Sequence, residues 1–189
     1  MTLYIKYMVS LRCKMIVKDV LKTLVLHFIV VDLGEVEIME DISVEQTKQL
    51  KIALLSAGLE LIDDKKSELI EKLKIAIKEM VYHNDEETGK TNISDYLSEK
   101  LNQEYTHLAN LFSEVQGTTI EQFIIAQKVE RIKELIIYGE LNFTKIAYKM
   151  NYSSVAHLSN QFKKVTGLSP SHFKELKEKR QNTILETTN

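Results

Sequence analysis

Apolar positions change their spacing several times along the chain, and each change marks an element. Leu3, Ile5 and Tyr7 alternate with Tyr4, Lys6 and Met8, the period-two pattern of a strand with one face buried. Ile16, Val20 and Leu24, flanked by Val17 and Leu21, then recur at helical spacing with Lys14, Lys18, Asp19 and Lys22 opposite, which predicts a short amphipathic helix. Two β-rich runs, 28–31 and 36–39, flank Asp32-Leu33-Gly34-Glu35, where Gly34 supplies the positive φ a hairpin turn needs. Ser43 is placed to cap a helix through Leu55, Gly58 lies beyond its end, and Leu59 to Ile62 resumes an extended pattern.

The predicted order over residues 1–66 is βαββαβ, the ferredoxin-like arrangement. From Ser67 to His83 the apolar residues Leu69, Leu73, Ile77 and Met80 make one stripe on a helix otherwise rich in Lys and Glu. Such a stripe faces either the chain's own core or a partner helix, and in the second case it would support a homodimer. The polar run from Asn84 to Thr91 has no periodicity and is the expected boundary. The division expected is therefore 1–66, a linker helix and loop over 67–90, a helical domain over 91–180, and a flexible tail over 181–189. The fold class is α+β.

Comparing the second half with itself at an offset of 50 exposes an internal repeat. His107, Leu108, Asn110, Phe112, Val115, Gly117 and Phe123 match His157, Leu158, Asn160, Phe162, Val165, Gly167 and Phe173. Each copy puts Leu, Phe and Val on one helical face, at 108, 112 and 115 and at 158, 162 and 165. Gly117 and Gly167 stand where a left-handed residue ends a helix, Thr119 and Ser169 are placed to cap the next one, and Pro170 suits a first turn. Short apolar-periodic segments precede each copy, Ile93 to Leu101 and Phe143 to Met150, and leave three or four residues for the turn. That is helix-turn-helix geometry, in which the second helix can enter a major groove.

Residues 91–180 resemble the C-terminal domain of the AraC/XylS transcription regulators, most closely over Ile146 to Phe173. The resemblance implies two helix-turn-helix units joined by a central helix at about 119–137, with double-stranded DNA as partner, read in successive major-groove segments by two recognition helices. By position in that family's motif, the base-reading candidates are Thr106, Ala109 and Asn110 in the first copy and Val155, Ala156, His157 and Asn160 in the second. Asn pairs bidentately with adenine, and Ala or Val touches a thymine methyl, so an A·T-leaning site is expected. Lys163 and Lys164 suit phosphate contact. The first copy departs here, with Ser113 and Glu114 where basic residues are common; Glu114 facing DNA would repel phosphate.

Composition limits the function without naming it. Net charge is −2, yet residues 90–180 carry 13 Lys/Arg against 10 Asp/Glu while 67–89 carry 3 against 6, so the basic excess is local to the repeat. No apolar run approaches the roughly 20 residues that span a bilayer. The N-terminus lacks a secretory pattern, and the single cysteine, Cys13, excludes an internal disulfide; a cytoplasmic protein is expected. There is no glycine-rich phosphate loop, HExxH or Gly-x-Ser-x-Gly, so no catalytic residue and no cofactor are assigned.

The N-terminal order and Met8-Val-Ser10-Leu-Arg-Cys13 are similar to heavy-metal-associated domains, whose first loop carries Met-x-Cys-x-x-Cys. Ser10 replaces the first cysteine of that motif, leaving Cys13 as a weak metal candidate that otherwise reads as a quiet loop thiol. The expected function is sequence-specific transcription regulation, modulated by the N-terminal domain through an unidentified small-molecule or protein effector. A protein-interaction module and a metal-handling protein without DNA binding remain as alternatives.

Overall fold

The computed structural model describes residues 1–82, 92–139 and 141–187, with side chains described through residue 179. The polar boundary expected over 84–91 lies outside the described residues. The N-terminal elements are β1 (Thr2–Lys6), α1 (Leu11–Thr23), β2 (Phe28–Asp32), β3 (Glu35–Ile38), α2 (Val44–Ser56), β4 (Glu60–Leu61) and α3 (Asp64–Tyr82). The repeat gives α4 (Ile93–Leu101), α5 (Tyr105–Gln116), α6 (Ile120–Tyr138), α7 (Phe143–Lys149), α8 (Val155–Thr166) and α9 (Pro170–Thr187). By packing, the chain divides into two compact units: Met1–Ala76 with Ile93–Ile120, and Ile77–Asn92 with Glu121–Asn189. This grouping cuts across the sequence boundaries at 66 and 90, because the first helix-turn-helix packs with the sheet.

In the first unit the strands lie in the order β2-β3-β1-β4, every pairing antiparallel, with Leu3 opposite Val36 and Ile5 opposite Leu61. This is the strand order of a ferredoxin-like βαββαβ sheet. Leu3 and Ile5 join Val17, Leu21, Leu50 and Leu54 in one core, so α1 and α2 cover one face. Ser43 caps α2 as expected, and Gln46 returns the bond to the Ser43 N–H, at 3.2 and 3.0 Å.

The half-buried strand expected for β1 is not what forms. Tyr4 and Lys6, on the opposite face from Leu3 and Ile5, are buried too. Tyr4 donates its hydroxyl to Glu71 of α3, and Lys74 of the same helix pairs with Glu35 while lying 5.0 Å from the centre of the Tyr4 ring. Lys6 pairs with Glu114 of α5 at 2.6 Å, and the backbone N–H of Tyr7 donates to the Glu114 carbonyl at 3.2 Å. The sheet's second face is thus covered by α3 and α5.

The stripe on α3 is accordingly internal. Leu73 and Ile77 are fully buried within a single chain, joined by Ile70, Ala76 and Val81, while Leu69 and Met80 sit half-buried at the margin. The buried face is rotated from the expected one, and the proposed dimer seam through Leu69, Leu73, Ile77 and Met80 is corrected: its centre is already occupied. At the other end of the chain, α9 runs to Thr187, so positions 181–187 are helical where a tail was expected.

In the second unit, Tyr82 donates to Glu134 of α6 at 2.8 Å, and Arg131 bonds the same carboxylate at 2.7 Å with its guanidinium over the Tyr82 ring. Ile132, Ile146, Leu158 and Phe162 are fully buried, and Phe162 meets Phe173 edge-to-face at 5.6 Å.

Candidate nucleic-acid interface

Each helix-turn-helix turns on a left-handed asparagine. Asn102 (φ 50) follows α4 and Asn151 (φ 55) lies one residue beyond the end cap of α7, Met150. In both turns the asparagine N–H and the next residue's N–H bond back into the helix: Asn102 to Glu99 and Gln103 to Ser98, then Asn151 to Tyr148 and Tyr152 to Ala147. These paired bonds close the helix by a Schellman motif, and asparagine tolerates the left-handed conformation better than other side-chain-bearing residues. Length alone marks these turns in the sequence, and the asparagine just after each short helix is the further signal that Asn102 and Asn151 carry there.

The recognition helices start differently. Ser154 caps α8 by accepting from the His157 N–H at 3.1 Å, whereas Glu104 precedes α5 with no side-chain cap. Both end on a left-handed glycine, Gly117 at φ 64 and Gly167 at φ 78, as the repeat predicts. Ser169 likewise caps α9, accepting from the His172 N–H at 3.2 Å.

The base-reading candidates share the outer face of each helix. Thr106 and Asn110 are exposed on α5 with Ala109 half-buried between them; Ala156, His157 and Asn160 are exposed on α8 with Val155 half-buried at its start. Spacings of three and four put Thr106 with Asn110, and Ala156 with Asn160 and Lys163, on common faces. Lys163 and Lys164 are exposed in the last turn of α8, where positive charge also opposes the helix dipole.

Beneath them the two copies diverge. Leu108, Phe112 and Val115 are all fully buried, but while Leu158 and Phe162 match them, Val165 is 46% exposed. The expected third core position of the second copy is therefore absent. The β2–β3 turn lies against the backbone at Val115: a Cβ on Gly34 would stand 1.9 Å from the Val115 carbonyl oxygen. Glu114, expected to repel DNA, instead accepts the Lys6 ammonium.

A second feature missed in the sequence lies under α8. Lys128 of α6, half-buried, donates to the Met150 carbonyl at 3.1 Å and lies 5.3 Å from the centre of the Tyr152 ring. Burial pushes its ammonium below the usual lysine range. Tyr152 in turn meets the His157 ring edge-to-face at 5.2 Å, and Ser153 Oγ lies 3.1 Å from His157 Nδ1.

Cys13 belongs to the first turn of α1 rather than to a loop. Ser10 caps that helix by accepting from the Cys13 N–H at 3.4 Å, and its hydroxyl, 3.3 Å from Sγ, holds the thiol below its ordinary range. The donor set does not fit a soft metal: the neighbours are a hydroxyl and the Tyr7 carbonyl, and Met8 is buried in the core. Among the described residues no helix is long and apolar enough to cross a membrane.

Residues 97–176 match the family model described as a helix-turn-helix domain. Over 85 residues, 45% of this chain, the sequence is 26% identical to the melibiose operon regulatory protein of Escherichia coli K12, and the match spans only 28% of that protein's length. Among solved structures, the fold is similar to a transcriptional regulator with an AraC-type DNA-binding domain from Chromobacterium violaceum, with a TM-score of 0.52 and 12% identity over 61% of this chain and 96% of the other. It is also similar to the DNA-binding domain of AdpA, a global transcriptional factor solved in complex with a target DNA, with a TM-score of 0.50 and 16% identity over 59% of this chain and 96% of the other.

Proposed function

Residues 97–176 are a helix-turn-helix domain of the AraC type, and on that premise we propose that the chain is a sequence-specific DNA-binding transcription regulator. The observation that carries this is the duplicated arrangement itself: two helix-turn-helix units, each presenting an exposed face with an asparagine on its recognition helix. In this reading α5 and α8 enter successive major-groove segments of one duplex. Asn110 and Asn160 accept from and donate to adenine edges, and Ala109, Val155 and Ala156 meet thymine methyls. Thr106 and His157 complete the polar contacts, and Lys163 and Lys164 neutralise phosphates.

Residues 91–180 form the DNA-binding segment in this proposal, and residues 1–66 are its modulator. The support for modulation is the attachment of β1 to the last turn of α5 through Lys6 and Glu114. An effector that shifted the sheet would act on α5 directly. The protein works in the cytoplasm, without catalysis of its own.

The test is binding of purified chain to selected duplex libraries over a salt series, comparing wild type with Asn160→Ala and Lys163→Ala. Asn160→Ala is expected to relax base preference at one position by roughly 1–3 kcal/mol, and Lys163→Ala to weaken all duplexes while lowering the salt slope by about 1. Binding no tighter than to random duplex would overturn the proposal and favour an interaction module.

A further inference from the structure

We propose that Lys128 and Tyr152 are positioning residues for base reading, acting through His157. The inference rests on the DNA-binding reading above and adds to it two residues outside the recognition helix. His157 lies in the first turn of α8 on its exposed side, and the N-terminal part of a recognition helix is the part that approaches base edges. An exposed imidazole has several rotamers, and a directional hydrogen bond to a base requires that one prevail.

Two contacts restrict the ring and a third holds its backbone. The ring meets Tyr152 at an interplanar angle of 89° and 5.2 Å, its Nδ1 lies 3.1 Å from Ser153 Oγ, and the backbone N–H donates to the Ser154 cap. With Nδ1 engaged, Nε2 is the nitrogen left to address DNA. Tyr152 is itself held in place by packing: its side chain is buried, and its backbone N–H closes the α7 Schellman turn on Ala147. Lys128 then locks the platform from below, donating to the carbonyl of Met150, at the end of α7, while its charge faces the Tyr152 ring.

The first copy supplies the contrast. Gln103 occupies the turn position that Tyr152 holds in the second, so no aromatic platform stands at that place under His107. The duplicated histidines are thus unequal, and His157 is the one held in a fixed orientation.

The experiment uses the full chain and the variants Tyr152→Leu, Tyr152→Phe, Lys128→Met, Lys128→Arg and His157→Ala. Proton resonances of the His157 ring, read without DNA, report the ring current of Tyr152. They are expected to move in Tyr152→Leu and in Lys128→Met and to stay near wild type in Lys128→Arg. On a selected duplex, Tyr152→Leu and Lys128→Met are expected to lower discrimination at one base pair by about fivefold to tenfold, with an unchanged salt slope. Neither is expected to lower it further in the His157→Ala background, whereas Tyr152→Phe keeps full discrimination.

Equal loss at every base pair, or loss that adds fully to His157→Ala, would overturn the proposal and leave a purely structural role. Unmoved His157 resonances in both Tyr152→Leu and Lys128→Met would also overturn it. If wild type binds no duplex selectively, the regulator reading fails and base reading fails with it, while moved resonances would still identify the positioning contact itself.

Discussion

Gly34→Ala tests the seating of the sheet on the first recognition helix. Gly34 has φ 82, a region that costs a residue with a Cβ about 1–2 kcal/mol. The added Cβ would also stand 1.9 Å from the Val115 carbonyl oxygen and 2.8 Å from its carbon, against the roughly 3.5 Å of comfortable contact. Both are backbone atoms in the last turn of α5, so no side-chain rotation relieves the clash. The turn or the helix must shift by about 1.5 Å, which strains the Lys6–Glu114 pair and the Tyr7-to-Glu114 backbone bond. Overpacking of this kind costs about 1–3 kcal/mol. Gly58→Ala is the control, because Gly58 has φ 75 with nothing within 4 Å of its added Cβ, and it carries the conformational cost alone. Urea unfolding at matched m-values is expected to show Gly34→Ala less stable than Gly58→Ala by about 1–3 kcal/mol. Equal losses in the two variants would refute the close approach of α5 to the hairpin.

Stability is expected to fall in alkali. Glu114 holds the Lys6 ammonium above its ordinary value of 10.5 chiefly through their hydrogen bond, and a raised pKa gives stability that is complete below that value and lost as pH climbs through the folded one. Tyr4, raised first by burial and then by Glu71, has the same sign. In Glu114→Gln the fall above about pH 10 should be smaller than in wild type; an identical fall would remove Lys6 from the account. Ser154→Ala should cost about 1 kcal/mol through the lost cap of α8, whereas Glu104→Ser should add about 0.5–1 kcal/mol by supplying a cap that α5 lacks, both read from thermal melting. Leu73→Ala should cost about 2–5 kcal/mol with an unchanged sedimentation coefficient, and the reverse pattern would restore a dimer seam on α3. The Tyr152 hydroxyl is buried with no partner among the described residues, and burial pushes its pKa to about 12. Tyr152→Phe should therefore be neutral or stabilising by about 1 kcal/mol, and a loss above 1 kcal/mol would show that the hydroxyl is bonded.

Much of this protein is written in short stretches of sequence. The changes of period located the strands and helices, and Ser43, Gly117, Gly167, Ser169 and Pro170 all stand at the ends they predict. The repeat also located both recognition helices and put Thr106, Asn110, Ala156, His157 and Asn160 on exposed faces. These features depend on residues within one or two turns of each other, where spacing and backbone chemistry decide the outcome.

Features that depend on distant residues were legible only in the fold. Nothing near Glu114 says that its partner is Lys6, more than a hundred residues away, and so its charge read as a defect of DNA binding. Nothing near Val115 and Val165 distinguishes them, yet the first is fully buried and the second largely exposed. The alternation in β1 predicts two faces but not that both are buried, and the stripe on α3 predicts a buried side but not its rotation toward Ile70 and Val81. Lys128 looks like one more surface lysine until the fold sets it under Met150 and Tyr152. Local sequence determined which elements form and where they end, because propensity, capping and handedness act over a few residues. Tertiary structure decided which faces are buried and which charges meet, because those are properties of surfaces that the chain brings together only on folding.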